Sequence, residues 1–208
     1  MKKTGINISA HHLECFRGGR LIFQDLTFEL SKGDALILIG PNGSGKSSLL
    51  RILAGFLKPK SGHVQYNKEN IFDNLDTYRS KIHYVGHLDA IKPNLTVSEH
   101  LNFWATSKGF DKPNQDILEI LDLKTLSEIP GKFLSAGQKR RLSLTRLLTA
   151  SARLWILDEP SVSLDEKSIN SLENMLATHR ADGGIAIIAT HTQISLPNSL
   201  KISMANFK

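Results

Sequence analysis

Gly40-Pro41-Asn42-Gly43-Ser44-Gly45-Lys46-Ser47-Ser48 fits G-x-x-x-x-G-K-[ST], the pattern of a loop that cradles nucleotide phosphates. A triphosphate presents closely spaced anionic oxygens, and a backbone surrounds them only where side chains do not intrude. Gly43 and Gly45 let the chain turn its N–H groups inward, because glycine adopts positive φ at little cost. Lys46 supplies a charge for the β- and γ-phosphates, and Ser47 a hydroxyl for Mg²⁺. Before the loop, Ala35-Leu36-Ile37-Leu38-Ile39 is an unbroken apolar run, as in a buried parallel strand. After it, Ser48-Leu49-Leu50-Arg51-Ile52-Leu53-Ala54 reads as a helix whose positive end points at the phosphates. A glycine-rich turn between strand and helix would look similar in isolation. The two flanks together turn the reading to binding of ATP or GTP.

The chain has 208 residues, which suits a single domain over 1–208 or a core with an insertion. Hydrophobic residues make up 40% and charged residues 22%, ordinary for a globular protein and far from a disordered one. The net charge of +6 is mild and scattered along the sequence, so a solvated surface is expected and no nucleic-acid partner. Cys15 is the only cysteine, which excludes an intramolecular disulfide and a cysteine-based zinc site and points to a reducing compartment. Lys2-Lys3 is not followed by the apolar segment of a secretory signal. Apolar runs stay well short of the roughly 20 residues that span a bilayer. A soluble protein is expected, able to dock on a membrane protein.

Ile6 to Phe16 and Leu21 to Leu30 read as two strands around Arg17-Gly18-Gly19-Arg20. Leu26-Thr27-Phe28-Glu29-Leu30 alternates apolar and polar, as in a half-buried antiparallel strand. Lys58-Pro59-Lys60-Ser61-Gly62 is a turn, His63 to Tyr66 a short strand, and Lys81 to Val85 another. From about Lys92 to Ala150 the pattern is helical. Thr96-Val97-Ser98-Glu99 is a capping box opening a helix through Leu101, Trp104 and Ala105. Gly109 and Pro113 break it before a second helix with Ile117, Leu118, Ile120 and Leu121. Phe103 and Trp104 read as core residues of this region, with a partner-binding role for Trp104 as the competing reading. A third helix starts at Ser135 and runs through Leu142, Leu144, Leu147 and Leu148. The α/β pattern resumes with the strand Leu154 to Leu157, a helix from about Glu166 to Thr178, and the strand Ile185 to Ala189. A last strand or hairpin is expected near Leu200-Lys201-Ile202.

Taken alone, Ser135-Ala136-Gly137-Gln138 is a capping box. The later run Leu154-Trp155-Ile156-Leu157-Asp158-Glu159 is an apolar strand ending in two carboxylates. Such a strand, buried beside the phosphate-loop strand, places Asp158 at its carboxyl end near Mg²⁺ held by Ser47. Glu159 is then poised to take a proton from an attacking water. Combined with the phosphate loop, these stretches resemble the ATP-binding cassette (ABC) family. Leu134-Ser135-Ala136-Gly137-Gln138 resembles its LSGGQ signature with one Gly replaced by Ala. Asp158 and Glu159 resemble the end of its Walker B strand and its catalytic glutamate. Ser163-Leu164-Asp165 resembles the D-loop, and Thr190-His191 the H-loop, whose His contacts the γ-phosphate.

The resemblance implies an α/β P-loop core with an antiparallel β-subdomain and a helical insertion at about 92–150. It also implies two copies that sandwich two ATP molecules head to tail, each phosphate loop facing the other copy's Ser135, Ala136, Gly137 and Gln138, with Asp165 at the interface. Phe16, just before the Gly-Gly turn, best matches the aromatic that stacks on adenine; its spacing is one residue out, and a core role competes. Where the family usually carries a Gln that touches Mg²⁺ and relays to the transmembrane partner, this chain has His87, in Tyr84-Val85-Gly86-His87. Imidazole also donates and accepts hydrogen bonds, with a different reach.

The Gly-His pair, the Ala in the signature, Lys139-Arg140-Arg141 and the short chain resemble one subgroup. That subgroup is the ATP-binding subunits of the haem exporter in bacterial cytochrome c maturation. It implies an ATPase on the cytoplasmic face of the inner membrane, bound to separate transmembrane subunits. A transporter ATPase for another small solute, and a soluble cassette ATPase acting on nucleic acid or ribosomes, are the alternatives.

Overall fold

A computed structural model describes residues 6–109, 116–192 and 194–207; Lys2, Lys3 and the break expected at Pro113 lie outside the described residues. The chain opens with β1 (Asn7–Arg17) and β2 (Arg20–Ser31), joined by Gly18 and Gly19 at φ 55° and 75°. Positive φ at both central positions is type I′ geometry, whose twist matches that of the flanking strands. Then come β3 (Ala35–Ile39), α1 (Lys46–Leu53), β4 (Ser61–Tyr66), β5 (Glu69–Asn70), α2 (Leu75–Ser80) and β6 (Ile82–Val85). A helical stretch follows, with α3 (Val97–Ser107), α4 (Ile117–Ile120) and α5 (Ala136–Thr145). The chain finishes with β7 (Leu154–Asp158), α6 (Glu166–Ala181), β8 (Ile185–Ala189), β9 (Leu200–Ser203) and a short 3-10 turn. No helix among the described residues is long and apolar enough to cross a membrane.

The strands form two sheets. One is antiparallel, in the order β2-β1-β4-β5. The other is parallel throughout, in the order β6-β7-β8-β3-β9. Successive side chains on a strand point to opposite faces, so each parallel strand feeds two cores. Leu36 and Leu38 of β3, Leu154 and Ile156 of β7, and Ile185 and Ile187 of β8 pack with the antiparallel sheet and α1. Ala35, Ile37, Trp155, Leu157, Ala186 and Ile188 pack with the helical stretch and α6. The nucleotide loop follows β3 and thus lies at the carboxyl edge of this double-sided sheet, where α/β folds place their ligands.

Three expectations need correction. β7 does not lie beside the phosphate-loop strand, because β8 runs between β7 and β3. All five β8 residues, Ile185–Ala189, are fully buried, and a strand with no exposed face or edge takes a central place. The third helix stops at Thr145 rather than running through Leu148. Leu147 N and Leu148 N bond Leu144 O and Thr145 O, three residues back, so the last turns tighten while Leu147 stays in the core. Phe103 is not core: it is 45% exposed with the Lys92 ammonium 4.5 Å from its ring, whereas Trp104 is buried. The strand expected near Leu200-Lys201-Ile202 forms as β9, paired parallel with β3.

The α6 face of the sheet buries the imidazole of His83 and half-buries that of His179. His83 on β6 donates from Nε2 to Ala150 O at 2.9 Å, and burial holds its pKa at about 4 against that bond, with Lys108 adding to the depression. The His179 ring stacks on Trp155 at 3.8 Å, and its burial also lowers its pKa to about 4. An unfolded histidine titrates near 6.5, so the native state binds fewer protons than the unfolded chain in this window. The stability these residues confer is complete above about pH 6.5 and is lost as pH falls toward 4. Calorimetric melting temperatures are therefore expected to drop steeply between those values. His83→Gln, which cannot charge, should flatten that drop, with a difference for this one group on the order of 3 kcal/mol.

Candidate nucleotide site

The loop between β3 and α1 is built by conformation as much as by composition. Gly45, at φ 102°, is the residue before α1, and a Cβ there would come 2.7 Å from Ile22 Cγ2 and 3.1 Å from Phe23 Cδ1. The position therefore needs glycine both for its backbone and for the approach of β2. Pro41, Asn42 and Gly43 are exposed, as an open cradle requires. Lys46 is only 6% exposed and folds back on the loop, donating from Nζ to Gly40 O at 2.7 Å and Pro41 O at 3.3 Å. Ser44 Oγ is buried with no hydrogen-bond partner among the described residues, an unmet polar group inside the cradle. Ser47 is exposed on the first turn of α1, and Ser48 is buried behind it.

Across the sheet, Asp158, Ala189 and Leu38 lie in one register row. Asp158, at the end of β7, is 3% exposed, and the Ser47 hydroxyl lies near enough to favour its charged form. Burial pushes its carboxyl above the usual range; Ser47 opposes that, the neighbouring Glu159 adds to it, and His87 and Arg140 offset it. Ser47 comes near Asp158 despite the interposed β8 because α1 packs against both β7 and β8.

Glu159 comes next and has φ 50°, a left-handed conformation that is strained for any residue but glycine. Its N–H bonds Ala189 O at 2.8 Å. Its carboxylate is turned toward His191: Oε2 lies 2.8 Å from His191 Nδ1 and accepts from His191 N at 3.2 Å. His87 is exposed just beyond β6, within electrostatic range of Asp158. The structure thus brings together the loop at 40–48, Asp158, Glu159, His191 and His87. Phe16 is 44% exposed at the tip of the hairpin whose Ile22 and Phe23 press on Gly45, so it is not a core residue.

The second group lies apart, sharing no hydrogen bond with the loop among the described residues. Ser135 caps α5: its Oγ accepts from Gln138 N at 3.2 Å, and Gln138 Oε1 accepts from Ser135 N at 2.8 Å. Ser135 and Ala136 face solvent. A Cβ on Gly137 would stand 2.7 Å from Ser163 O, so glycine lets α5 rest on the loop before α6. Asp165 is exposed and caps α6 by accepting from Ser168 N at 2.8 Å.

Sequence reasoning passed over Arg140 as part of a basic run. It is 3% exposed and joins the two groups, bonding the backbone of Asp158, Glu159 and Pro160. The signal was its helical phase: it sits three residues after Gly137 and four before the buried Leu144, on the inward face of α5.

A family model described as ABC transporter matches residues 23–162. The cytochrome c biogenesis ATP-binding export protein CcmA of Paramagnetospirillum magneticum is 48% identical over 204 residues, covering 96% of this chain and 94% of that one. The protein of the same name from Rhodospirillum rubrum is 47% identical over 196 residues, covering 94% and 84%. Among solved structures, an ATP-binding subunit of an ABC transporter superposes with a TM-score of 0.82 at 25% identity, over 88% of this chain and 79% of that one. A putative ABC transporter ATP-binding protein from Pyrococcus furiosus, at 24% identity, shares the fold with a TM-score of 0.84 over 97% and 99% of the two chains. The chain is therefore an ATPase subunit of the ABC transporter family and belongs within it to the CcmA group.

Proposed function

We propose that the chain, as one ATP-binding domain over 1–208, hydrolyses Mg²⁺-bound ATP in a head-to-tail homodimer. We infer further that it drives a haem-handling export step in cytochrome c maturation from the cytoplasmic face of the bacterial inner membrane. The observation that carries the chemistry is the convergence of Lys46, Ser47, Asp158, Glu159 and His191 at one sheet edge. The process is supported by relatives that share nearly half of the residues and are named cytochrome c biogenesis ATP-binding export proteins.

In this reading the backbone N–H groups from Gly40 to Ser48 wrap the phosphates, and Lys46 exchanges its bonds to Gly40 O and Pro41 O for phosphate oxygens. Phe16 stacks on adenine. The Ser47 hydroxyl and the nearby Asp158 carboxylate are hard oxygen donors of the kind Mg²⁺ takes beside substrate phosphates. When bound, that ion neutralises charge on the phosphate oxygens. Glu159 accepts the proton of the attacking water, and His191 fixes the carboxylate and reaches the γ-phosphate. His87 approaches the same phosphate from the β6 side. Ser135, Ala136, Gly137 and Gln138 offer a helix N-terminus to the partner's nucleotide, and Asp165 lies at the same interface.

The transmembrane partner is expected where apolar side chains stand in solvent. Leu88, Phe103 and Phe133 are 82%, 45% and 71% exposed: Leu88 opens the 88–93 segment, Phe103 lies under Lys92 of it, and Phe133 follows Gly131 and Lys132, which pack against it. No nucleic-acid partner is assigned.

The test is genetic. In a bacterium lacking its own CcmA-group gene, this chain, expressed with its neighbouring membrane subunits, should restore haem-stained c-type cytochromes in membranes. The Glu159→Gln form should not. ATPase activity without any restored c-type cytochrome would assign the motor to a different solute.

A further inference from the structure

Arg140 has five N–H donors, and all five are used. Nε donates to Pro160 O at 3.2 Å. Nη1 donates to Gly86 O at 3.0 Å and Asp89 Oδ1 at 2.9 Å. Nη2 donates to Asp158 O at 2.8 Å and Glu159 O at 2.7 Å. The side chain is 3% exposed, so this is a buried cation whose only carboxylate partner among the described residues is Asp89, itself 26% exposed. A fork-shaped, permanently charged guanidinium suits such a convergence of carbonyls; an ammonium or an amide cannot fill it.

Three consecutive carbonyls, those of Asp158, Glu159 and Pro160, turn toward one point. Without a cation between them their dipoles repel. The middle one belongs to Glu159, whose φ of 50° persists only where the surroundings over-determine it. A relaxed peptide there would swing the carboxylate away from His191. The same guanidinium also grips Gly86 and Asp89, on either side of His87, and it sits on α5 just after Ser135–Gln138. One group thus registers the start of α5 and the segment around His87 against the backbone of Glu159.

We infer that Arg140, countercharged by Asp89, is a positioning residue for hydrolysis: it holds the Asp158–Pro160 turn so that Glu159 faces the attacking water, without taking part in nucleotide binding. This rests on the assignment of Glu159 as the base. Arg140 shares no bond with the 40–48 loop among the described residues, so its removal should act on kcat and spare the affinity for ATP.

The test is steady-state kinetics on the full chain co-expressed with its membrane subunits. Arg140→Gln is expected to lower kcat by about 30-fold or more, with KM for ATP within about 3-fold of wild type. Arg140→Lys, which keeps charge but loses the fork, should recover little. Asp89→Ala touches a partly exposed side chain and leaves the fold intact, so it decides the matter even where Arg140 variants fail to fold. It should lower kcat roughly 5- to 10-fold at unchanged KM, and Asp89→Asn, which keeps an acceptor, should restore most of that loss. An Asp89→Ala enzyme with wild-type kcat overturns the inference, as does a rise in KM that matches the fall in kcat. Turnover by Glu159→Gln defeats the base assignment instead, so the two failures are told apart in one experiment.

Discussion

Glu159→Gln is expected to reduce ATP hydrolysis by about 10²- to 10⁴-fold while ATP still binds. The prediction follows from what the carboxylate touches. Its Oε2 accepts from His191 N and lies against His191 Nδ1, and it has no bond to the 40–48 loop among the described residues. An amide of the same shape keeps an acceptor for His191, so the pocket should retain its form. It cannot take a proton from water, and that function alone is lost. Neutralising a carboxylate beside the γ-phosphate also removes a repulsion, so the ATP-bound form should accumulate. Phosphate release and retention of labelled ATP on gel filtration measure the two halves. Lys46→Ala should show the opposite pattern, with nucleotide binding itself lost, because the charge it removes belongs to the phosphates. Normal turnover by Glu159→Gln would rule out the assignment.

What the sequence discloses here depends on whether the physics is local. The apolar runs of β3, β7 and β8 announce a sheet buried on both faces, and Gly18-Gly19 announces a hairpin, because backbone conformation and burial are written at each residue. The capping boxes at Thr96–Glu99 and Ser135–Gln138 are equally local, and both form. Strand order is not local. Nothing in Leu154–Asp158 says that β8 will enter between it and β3, since crossover connections and the total burial of β8 decide that. β5 and α2 escaped notice because Glu69–Ser80 is short and polar, with Tyr78 alone fully anchoring α2 in the core. Phe103 misled for the opposite reason: it sits on an amphipathic helix but on its solvent face. For the site, the 40–48 loop, Asp158, Glu159, His191 and His87 came together at one sheet edge, while Ser135–Gln138 and Asp165 lie apart. Arg140 did not stand out, because a buried cation between two charged neighbours looks like a solvated basic run until its carbonyl partners, up to 54 positions away, are brought to it.

A mixture of Lys46→Ala and Ser135→Arg chains should trap ATP where neither variant does so alone. Ser135 and Ala136 are exposed, and the end of α5 points its remaining N–H groups at solvent. Asn42, Gly43 and Ser47 of the loop are exposed as well. Two exposed half-sites that share no hydrogen bond among the described residues are what an isologous dimer would complete: each loop would meet the other chain's Ser135, and the reverse. Ser135→Arg removes the helix cap and fills the space meant for phosphate. Homodimers of either variant then have both sites damaged. In a mixed dimer both lesions fall in one site, and the other pairs an intact Lys46 with an intact Ser135. Random exchange makes about half of the dimers mixed, each with one sound site, so trapping should return to about a quarter of the unmutated level. The measurement is best made with Glu159→Gln in every chain, so that hydrolysis does not empty the sites. Full trapping by Ser135→Arg alone, or a mixture no better than its components, defeats the head-to-tail arrangement. Recovery to about a quarter, lost again when both changes are placed in one chain and that chain is used alone, would establish that each nucleotide is held by two subunits.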